Sequence, residues 1–279
     1  MYLFFMTSLS QHINQLKNKG YTTIPNVISK KECLFLKGEL ENLFKELKKN
    51  PYFIDEGSKK GQIIIRDLPL RKPKTYLKYI SLSKILKILD KIFKDKFILD
   101  NMMASNSINV NKRFDRKVHT DSQLPINSYD LTTDVVVMIS IDDFKVSNGA
   151  TKVWPYSHQS GIRIHQQNKK KPSKKFHYLK ASKGSASIML GQTWHQVGEN
   201  ISQDSRWSFF IHYKRWWMKS STDFTKCGNK IFKILSNKQK ELFGFTSISP
   251  VYDFKKKTKK IYTLRKIKSL NKNYFKIFA

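Results

Sequence analysis

Several features that assign proteins to a class are missing from this chain of 279 residues. Its two cysteines, Cys33 and Cys227, are too few for a disulfide framework, which favours a reducing compartment such as the cytoplasm. No apolar run reaches the roughly 18 residues that a membrane-spanning helix needs. The opening "MYLFFMTSLS" lacks the basic segment and the small-residue cleavage site of a signal peptide, and we expect translation to begin at Met6.

Acidic residues are scarce, with 21 Asp and Glu against 53 Lys and Arg, so the formal net charge is +32. Such a charge is typical of proteins that bind nucleic acid or another anionic polymer. It is also what an AT-rich genome produces, since Lys, Ile, Asn, Phe and Tyr are all abundant and the lysines are spread along the chain. The basic residues are concentrated only at the end, and we predict a basic tail at 255–279 after a single domain at 1–254.

Hydrophobic periodicity divides the predicted domain into two parts. Helical spacing indicates helices at 8–19, in "SKKECLFLKGELENLFKELKKN", and from Ser83 onward, which form a helical layer over 8–95. Ser29 and Glu32 have the spacing of a capping box. From about 98 to 217, short β-rich runs such as "KVHTD", "DVVVMISID", "SASIML" and "RWSFFIHYK" alternate with turn residues. This pattern predicts a mainly β sandwich or barrel with flanking helices.

Residues that could bind a metal ion or a carboxylate occur at three places in the β-rich part. His119 and Asp121 are two residues apart, so in a strand their side chains would point to the same face. His195 lies 76 residues further on, and a third ligand from a distant strand would complete a two-histidine, one-carboxylate face with open coordination positions. Arg206, eleven residues after His195, would supply a planar cation for a carboxylate. Neither His-Glu-x-x-His nor clustered cysteine occurs in the chain, which disfavours a zinc hydrolase.

The order of these motifs resembles the phytanoyl-CoA dioxygenase family of Fe(II)- and 2-oxoglutarate-dependent oxygenases. "HTD" is followed by "NGA" leading to "WPYSH", and then by His195 and Arg206, while "NKGYTTIPNVISKKE" is similar to the family's opening helix, strand and helix. The likeness covers roughly residues 11–245. One departure is Tyr156, which stands where the family usually has glycine, and it puts the geometry of that turn in question.

The resemblance implies a fold, a set of cofactors and roles for particular residues. The fold would be a double-stranded β-helix, a cupin-like jelly-roll barrel with iron at its mouth. His119, Asp121 and His195 would bind Fe(II), and Arg206 would hold the far carboxylate of 2-oxoglutarate, with Asn106 as a second contact. The retained carboxylate of Asp121 favours hydroxylation, with O2 consumed and succinate and CO2 released.

The substrate is not specified by any of these motifs. We expect a small molecule, anionic if the basic charge steers it, and Gln123 and Arg66 are candidate substrate contacts, with Lys214 and Arg215 as further basic residues for the pocket mouth. Nucleic acid is the less favoured partner; the alternative function is a degenerate oxygenase scaffold that binds it or another anionic polymer. A monomer and a homodimer both remain open.

Overall fold

The computed structural model describes residues 8–48, 61–109, 117–122, 124, 131–162, 164, 172 and 175–247, with the backbone of 251–253 and 258–260. Met6 and most of the predicted tail lie outside this part of the chain. The helices are α1 Leu9–Lys19, α2 Lys30–Leu47, α3 Leu68–Arg71, α4 Pro73–Tyr76, α5 Ser83–Phe93, α6 Gly228–Ile234 and α7 Asn237–Leu242. The strands are β1 Tyr21–Ile24, β2 Gln62–Ile65, β3 Phe97–Ser107, β4 Asp134–Ser140, β5 Lys152–Val153, β6 His177–Tyr178, β7 Ala186–Leu190, β8 His195–Gln196, β9 Arg206–Arg215, β10 Val251–Asp253 and β11 Thr258–Lys260.

Helices α2 and α5 form where the sequence predicts them. Ser29 begins α2 by accepting a hydrogen bond from the backbone N–H of Glu32, as the capping-box spacing indicates. The Glu32 carboxylate accepts a hydrogen bond from the hydroxyl of Tyr79 at 2.7 Å, so the cap also ties the helix to the rest of the layer. On α5, buried residues recur at helical spacing and face the sheet.

Two antiparallel sheets form the β part. The larger has the strand order β1-β7-β4-β9-β3-β2, and the smaller has the order β6-β5-β8. Alternate residues of β9 belong to different cores: Phe209 and Ile211 pack with the helices, whereas Phe210 packs with Val136 and with Val153 of the smaller sheet. The larger sheet therefore carries helices on one face and the smaller sheet on the other, and its inner face lines the space between the sheets.

One predicted strand is absent from this architecture. The run "KVHTD" was expected to be a strand, but within the described residues His119 makes only a single antiparallel bridge, to His195, and Asp121 follows in a bend.

The backbone of β10 pairs with that of β11, so part of the predicted tail is in a strand. The domain boundary at 254 stays a prediction. No helix of the described residues is long and apolar enough to cross a bilayer.

Packing of α2 on the sheet gives a testable contribution to stability. Leu40 of α2 is completely buried, and replacing it with alanine should lower the free energy of unfolding by about 2–5 kcal/mol because it leaves a cavity. Leu34 on the same helix is 64% exposed, so Leu34→Ala is the matched control and should change stability by less than about 0.5 kcal/mol. Urea denaturation of both variants measures the difference. Equal losses would contradict the assigned face of α2.

Candidate metal centre

The two motif histidines are joined through their backbones. The N–H of His119 donates to the carbonyl of His195 at 2.9 Å, and the N–H of His195 donates back to the carbonyl of His119 at 3.0 Å. Residues opposed in this way across an antiparallel bridge point their side chains to the same face. The imidazole centroids accordingly lie 4.2 Å apart.

Backbone carbonyls also fix the orientation of both imidazole rings. Nδ1 of His119 lies 3.2 Å from the carbonyl oxygen of Lys117, and Nδ1 of His195 lies 3.0 Å from that of Thr193. A ring that donates from Nδ1 in its neutral form keeps a lone pair on Nε2. This outer contact is the usual partner of a metal-binding histidine.

Asp121 completes a set of three ligand atoms. Its Oδ1 lies 3.8 Å from Nε2 of His119 and 3.6 Å from Nε2 of His195, and the three candidate atoms all lie within 4.8 Å of one another. Ligands about 2.1 Å from one metal ion are about 3.0–3.4 Å apart, so small side-chain movements would bring this set onto an ion. The His119 side chain is 42% exposed, which leaves an open approach.

Nearby imidazoles keep the Asp121 carboxyl ionised. Burial alone would raise its pKa, but His195, His212 and His119 together lower the pKa of Asp121 below its ordinary value. A carboxylate and two imidazoles form a donor set that suits a divalent transition metal.

Arg206 is a buried cation at the start of β9. Its Nε donates to the carbonyl of Asn148 at 3.1 Å, one of its terminal nitrogens donates to the carbonyl of Gly149 at 3.0 Å, and the guanidinium stacks 3.9 Å from the centroid of the Phe144 ring. Burial lowers the pKa of Arg206 to about 10, opposed by the charge of Asp142. Its other terminal nitrogen, Nη1, is buried and has no hydrogen-bond partner among the described residues.

The turn before β5 provides the carbonyls that hold Arg206. Gly149 has φ of +83°, and a Cβ on it would lie 2.7 Å from the carbonyl oxygen of Gly198. Only glycine fits both the left-handed backbone and this close approach. The "NGA" turn therefore places two carbonyl acceptors against Arg206.

The structure does not bring Asn106 and Arg206 together. In the pairing of β3 with β9, Asn106 lies opposite Trp207, on the helix-facing side of the sheet, whereas Ser107 lies opposite Arg206. The Ser107 hydroxyl is buried and has no hydrogen-bond partner among the described residues. Ser107 is thus the β3 residue opposite Arg206, one position from the predicted Asn106.

Of the two candidate substrate contacts, only Arg66 lies in the part of the chain that the structure describes. Arg66 is exposed just after β2, its backbone carbonyl accepts a hydrogen bond from Arg71, and it does not line the cavity beside Asp121. Gln123 lies outside the described residues. Arg215, a suggested mouth residue, is buried and donates to the carbonyls of Thr132 and Phe93.

A cavity of about 430 Å³ does adjoin Asp121, and it contains residues that sequence reasoning largely overlooked. Its lining includes Asp134, His212 and Lys214, of which only Lys214 was expected at the pocket mouth. Burial raises the pKa of Asp134 to about 6, with a contribution from the Asp121 charge. The available signal for His212 was its even spacing from Arg206, which puts both on one face of β9.

The turn at Tyr156 keeps the conformation that glycine would adopt. Tyr156 has φ of +66°, in the left-handed region that costs a bulky residue about 1–3 kcal/mol. Its N–H donates to the carbonyl of Lys19, and the next turn holds His158, whose Nε2 lies 2.9 Å from the carbonyl oxygen of Lys17. The departure from the family pattern leaves the turn intact, and His158 connects it to α1.

Comparison with known proteins places the chain in a recognised group. The family model of phytanoyl-CoA dioxygenase (PhyH) matches residues 16–208. The uncharacterised protein Rv1501 of Mycobacterium tuberculosis is 21% identical over 254 residues, which cover 86% of this chain and 88% of that protein.

Solved structures share the fold at low sequence identity. The non-haem α-ketoglutarate-dependent epimerase SnoN from nogalamycin biosynthesis has 16% identity and a TM-score of 0.56, over 74% of this chain and 83% of its own. HygX from Streptomyces hygroscopicus, solved with nickel and 2-oxoglutarate bound, has 11% identity and a TM-score of 0.59, over 76% and 91%. These matches confirm the predicted jelly-roll fold with flanking helices.

The glycine that positions the Arg206 acceptors gives a prediction for stability. Gly149→Ala should lower the free energy of unfolding by about 1–3 kcal/mol, because the added methyl group meets backbone and the φ angle is positive. Gly38 lies in α2 with open space around its Cα, so Gly38→Ala is the control and should raise stability by about 0.5–1 kcal/mol. Thermal unfolding of the two variants measures the changes in stability. A Gly149→Ala variant as stable as the unmodified chain would contradict the turn described here.

Proposed function

This chain belongs to the phytanoyl-CoA dioxygenase family of iron- and 2-oxoglutarate-dependent oxygenases, and from that premise we propose that it hydroxylates a small molecule and releases succinate and CO2. The observation that carries the proposal is the convergence of two imidazole nitrogens and one carboxylate oxygen within 4.8 Å. Its cofactors are Fe(II), 2-oxoglutarate and O2. Cytoplasmic location stays a prediction.

The proposed metal ligands are Nε2 of His119, Oδ1 of Asp121 and Nε2 of His195. Three protein ligands on one face leave positions for the co-substrate and O2. Bound iron with 2-oxoglutarate would supply the oxidising chemistry; the chain's residues hold and orient it. Because both Nδ1 atoms are engaged by carbonyls, each ring presents the correct nitrogen without rearrangement.

The proposed anchor for the far carboxylate of 2-oxoglutarate is Arg206, with Ser107 beside it. Nη1 of Arg206 and the hydroxyl of Ser107 are buried donors without partners among the described residues, on the same face of adjacent strands. A buried donor left unpaired costs about 1–3 kcal/mol, and a carboxylate would satisfy both donors. We therefore propose Ser107, in place of Asn106, as the second residue of the co-substrate site.

Removal of a ligand should abolish metal binding and turnover together. His119→Ala should reduce Fe(II)-dependent succinate formation from 2-oxoglutarate more than about 100-fold, since loss of an outer contact alone typically costs about 10- to 100-fold. His177, an exposed histidine on β6, gives the control variant His177→Ala with unchanged metal content and activity.

Succinate assays under ¹⁸O2 measure turnover and oxygen incorporation, and metal analysis of the purified variants measures metal binding. One ¹⁸O atom in succinate is expected from the unmodified chain, and ¹⁸O in the organic product identifies hydroxylation. Succinate formation that survives His119→Ala contradicts the site. Retention on heparin without any turnover would favour the polymer-binding alternative, which the net charge of +32 motivates.

The role of Arg206 predicts a change in co-substrate selectivity. Arg206→Gln should raise the KM for 2-oxoglutarate about 10- to 100-fold, as expected for loss of a charge-assisted hydrogen bond. Turnover with 2-oxobutyrate, which lacks the far carboxylate, should change little. Ser107→Ala should also raise the KM for 2-oxoglutarate but not for 2-oxobutyrate, by a smaller factor. This second variant keeps the test valid if Arg206→Gln fails to fold. Equal losses with both keto acids would contradict an anchoring role.

A further inference from the structure

Two adjacent tryptophans at the end of β9 are exposed. Trp216 is 40% exposed and Trp217 is 50% exposed, whereas Trp207 in the core is 1% exposed. Single apolar residues are common on protein surfaces, but large apolar side chains exposed next to each other mark a surface that binds a partner.

Hydrogen bonds hold this turn in place against the beginning of β3. The N–H of Met218 donates to the carbonyl of Arg215 at 3.0 Å, and the N–H of Trp216 donates to the carbonyl of Lys96 at 3.4 Å. Nε1 of Trp216 donates to the carboxylate of Asp95 at 3.2 Å. Because its polar atom is used within the protein, Trp216 offers apolar surface to its surroundings.

Unpaired positive charge surrounds the two indoles. Lys94 and Lys96 precede β3, Lys219 follows the tryptophans, and all three are exposed without an ion pair to a described residue. The nearby carboxylates are already paired at 2.7 to 4.0 Å: Asp90 with Lys238, Asp95 with Arg215, Asp100 with Lys214 and Asp223 with Lys226. The three lysines therefore give this surface a net positive charge.

A groove beside the turn extends the positive surface. Its volume is about 950 Å³, and among the described residues its lining includes four basic side chains and no acidic one: Lys17, Lys91, Lys94 and Arg215. Arg215 directly precedes Trp216, so the groove and the turn are continuous.

We propose that the surface formed by Trp216, Trp217, Lys94, Lys96 and Lys219 docks on a lipid bilayer that contains anionic lipid. Indole rings favour the boundary between headgroups and hydrocarbon, and lysines attract anionic headgroups. Binding in the plane of the interface draws on both contributions, and this surface offers both.

The docking surface adjoins the metal centre. Met218 and Lys219 of the same turn also line the cavity beside Asp121. Docking would therefore bring this side of the cavity to the lipid surface, where a lipid-soluble substrate could enter it. This consequence rests on the proposed function, whereas the docking itself does not.

Sedimentation of the full chain with phospholipid vesicles, without metal or 2-oxoglutarate, tests the docking. Vesicles of phosphatidylcholine mixed with phosphatidylglycerol should bind the chain at least about tenfold more tightly than phosphatidylcholine alone. Trp217→Ala should weaken binding to the mixed vesicles about tenfold, because an inserted indole is lost. Phe35→Ala on α2, where the side chain is 58% exposed, is the matched control and should bind like the unmodified chain.

A pair of charge variants tests the lysines. Lys94→Gln combined with Lys96→Gln should weaken binding to the mixed vesicles at least about tenfold, since each lysine at an anionic surface strengthens binding about fivefold. Lys45→Gln combined with Lys48→Gln removes the same charge from exposed positions at the end of α2 and should change binding less than about twofold.

Several results would overturn the inference: no binding to the mixed vesicles, equal binding to both kinds of vesicle, or equal losses in Trp217→Ala and Phe35→Ala. If Trp217→Ala weakens binding to a single-stranded oligonucleotide and leaves vesicle binding unchanged, the surface binds nucleic acid instead. Should Trp217→Ala fail to fold, acrylamide quenching of tryptophan fluorescence in the unmodified chain gives the answer. Mixed vesicles should reduce the quenching, and unchanged quenching would contradict the docking.

The outcomes also separate this inference from the proposed function. Vesicle binding that depends on Trp217, together with no succinate formation, would support the docking surface and reject the oxygenase proposal. Succinate formation by a chain that does not bind vesicles would do the reverse.

Discussion

The candidate centre depends on two backbone hydrogen bonds, those exchanged between His119 and His195. They join a short segment that belongs to no named strand to β8, which has only two residues and pairs with β5. Val153 of β5 packs against Val136 and Met138 of the larger sheet. The ligand geometry thus rests on the small core between the sheets, and damage to that core would misplace one histidine relative to the other.

Arg206 shows a second constraint, the cost of burying a cation. Guanidinium groups in protein interiors are normally paired with an anion, yet Arg206 is held by two carbonyls and an aromatic face. These contacts orient the group but do not neutralise it, and burial lowers its pKa to about 10 as a result. Such a charge suits a carboxylate ligand, and the hydroxyl of Ser107 on the adjacent strand, which has no hydrogen-bond partner among the described residues, offers a second donor.

Sequence patterns predicted the helices and most strands well because each has its own periodicity. Helix α2 follows from its leucine spacing and its serine cap, and β4 from its apolar run. Which of Asn106 and Ser107 faces Arg206 could not be read in the same way. Both occur in a fully buried stretch of β3, where no alternation of polar and apolar residues marks the two faces. Only the register of β3 against β9 determines which of the two lies opposite Arg206.

The convergence of the three candidate metal ligands was predictable for a different reason. The His-x-Asp spacing and the distant histidine were identified on the assumption of a strand, and the structure brings their side chains together through one bridge and a bend instead. Two residues of separation place side chains near each other in either geometry, so the prediction of convergence did not depend on the wrong element. Asp134, by contrast, occupies the first position of an apolar strand, and its cavity is visible only once Asp121 and β9 are brought alongside.

Overall charge and local charge have separate consequences in this molecule. Exposed lysines create a field that is screened within about 8 Å at physiological ionic strength, so they act mainly on the approach of a ligand. Inside the cavity, the ion pair of Asp100 with Lys214 removes one charge of each sign, and Asp121, Asp134 and the exposed Lys219 also line the space. Since the low dielectric of a buried site strengthens nearby charges over distant ones, the charges that line the cavity outweigh the basic surface in selecting what binds.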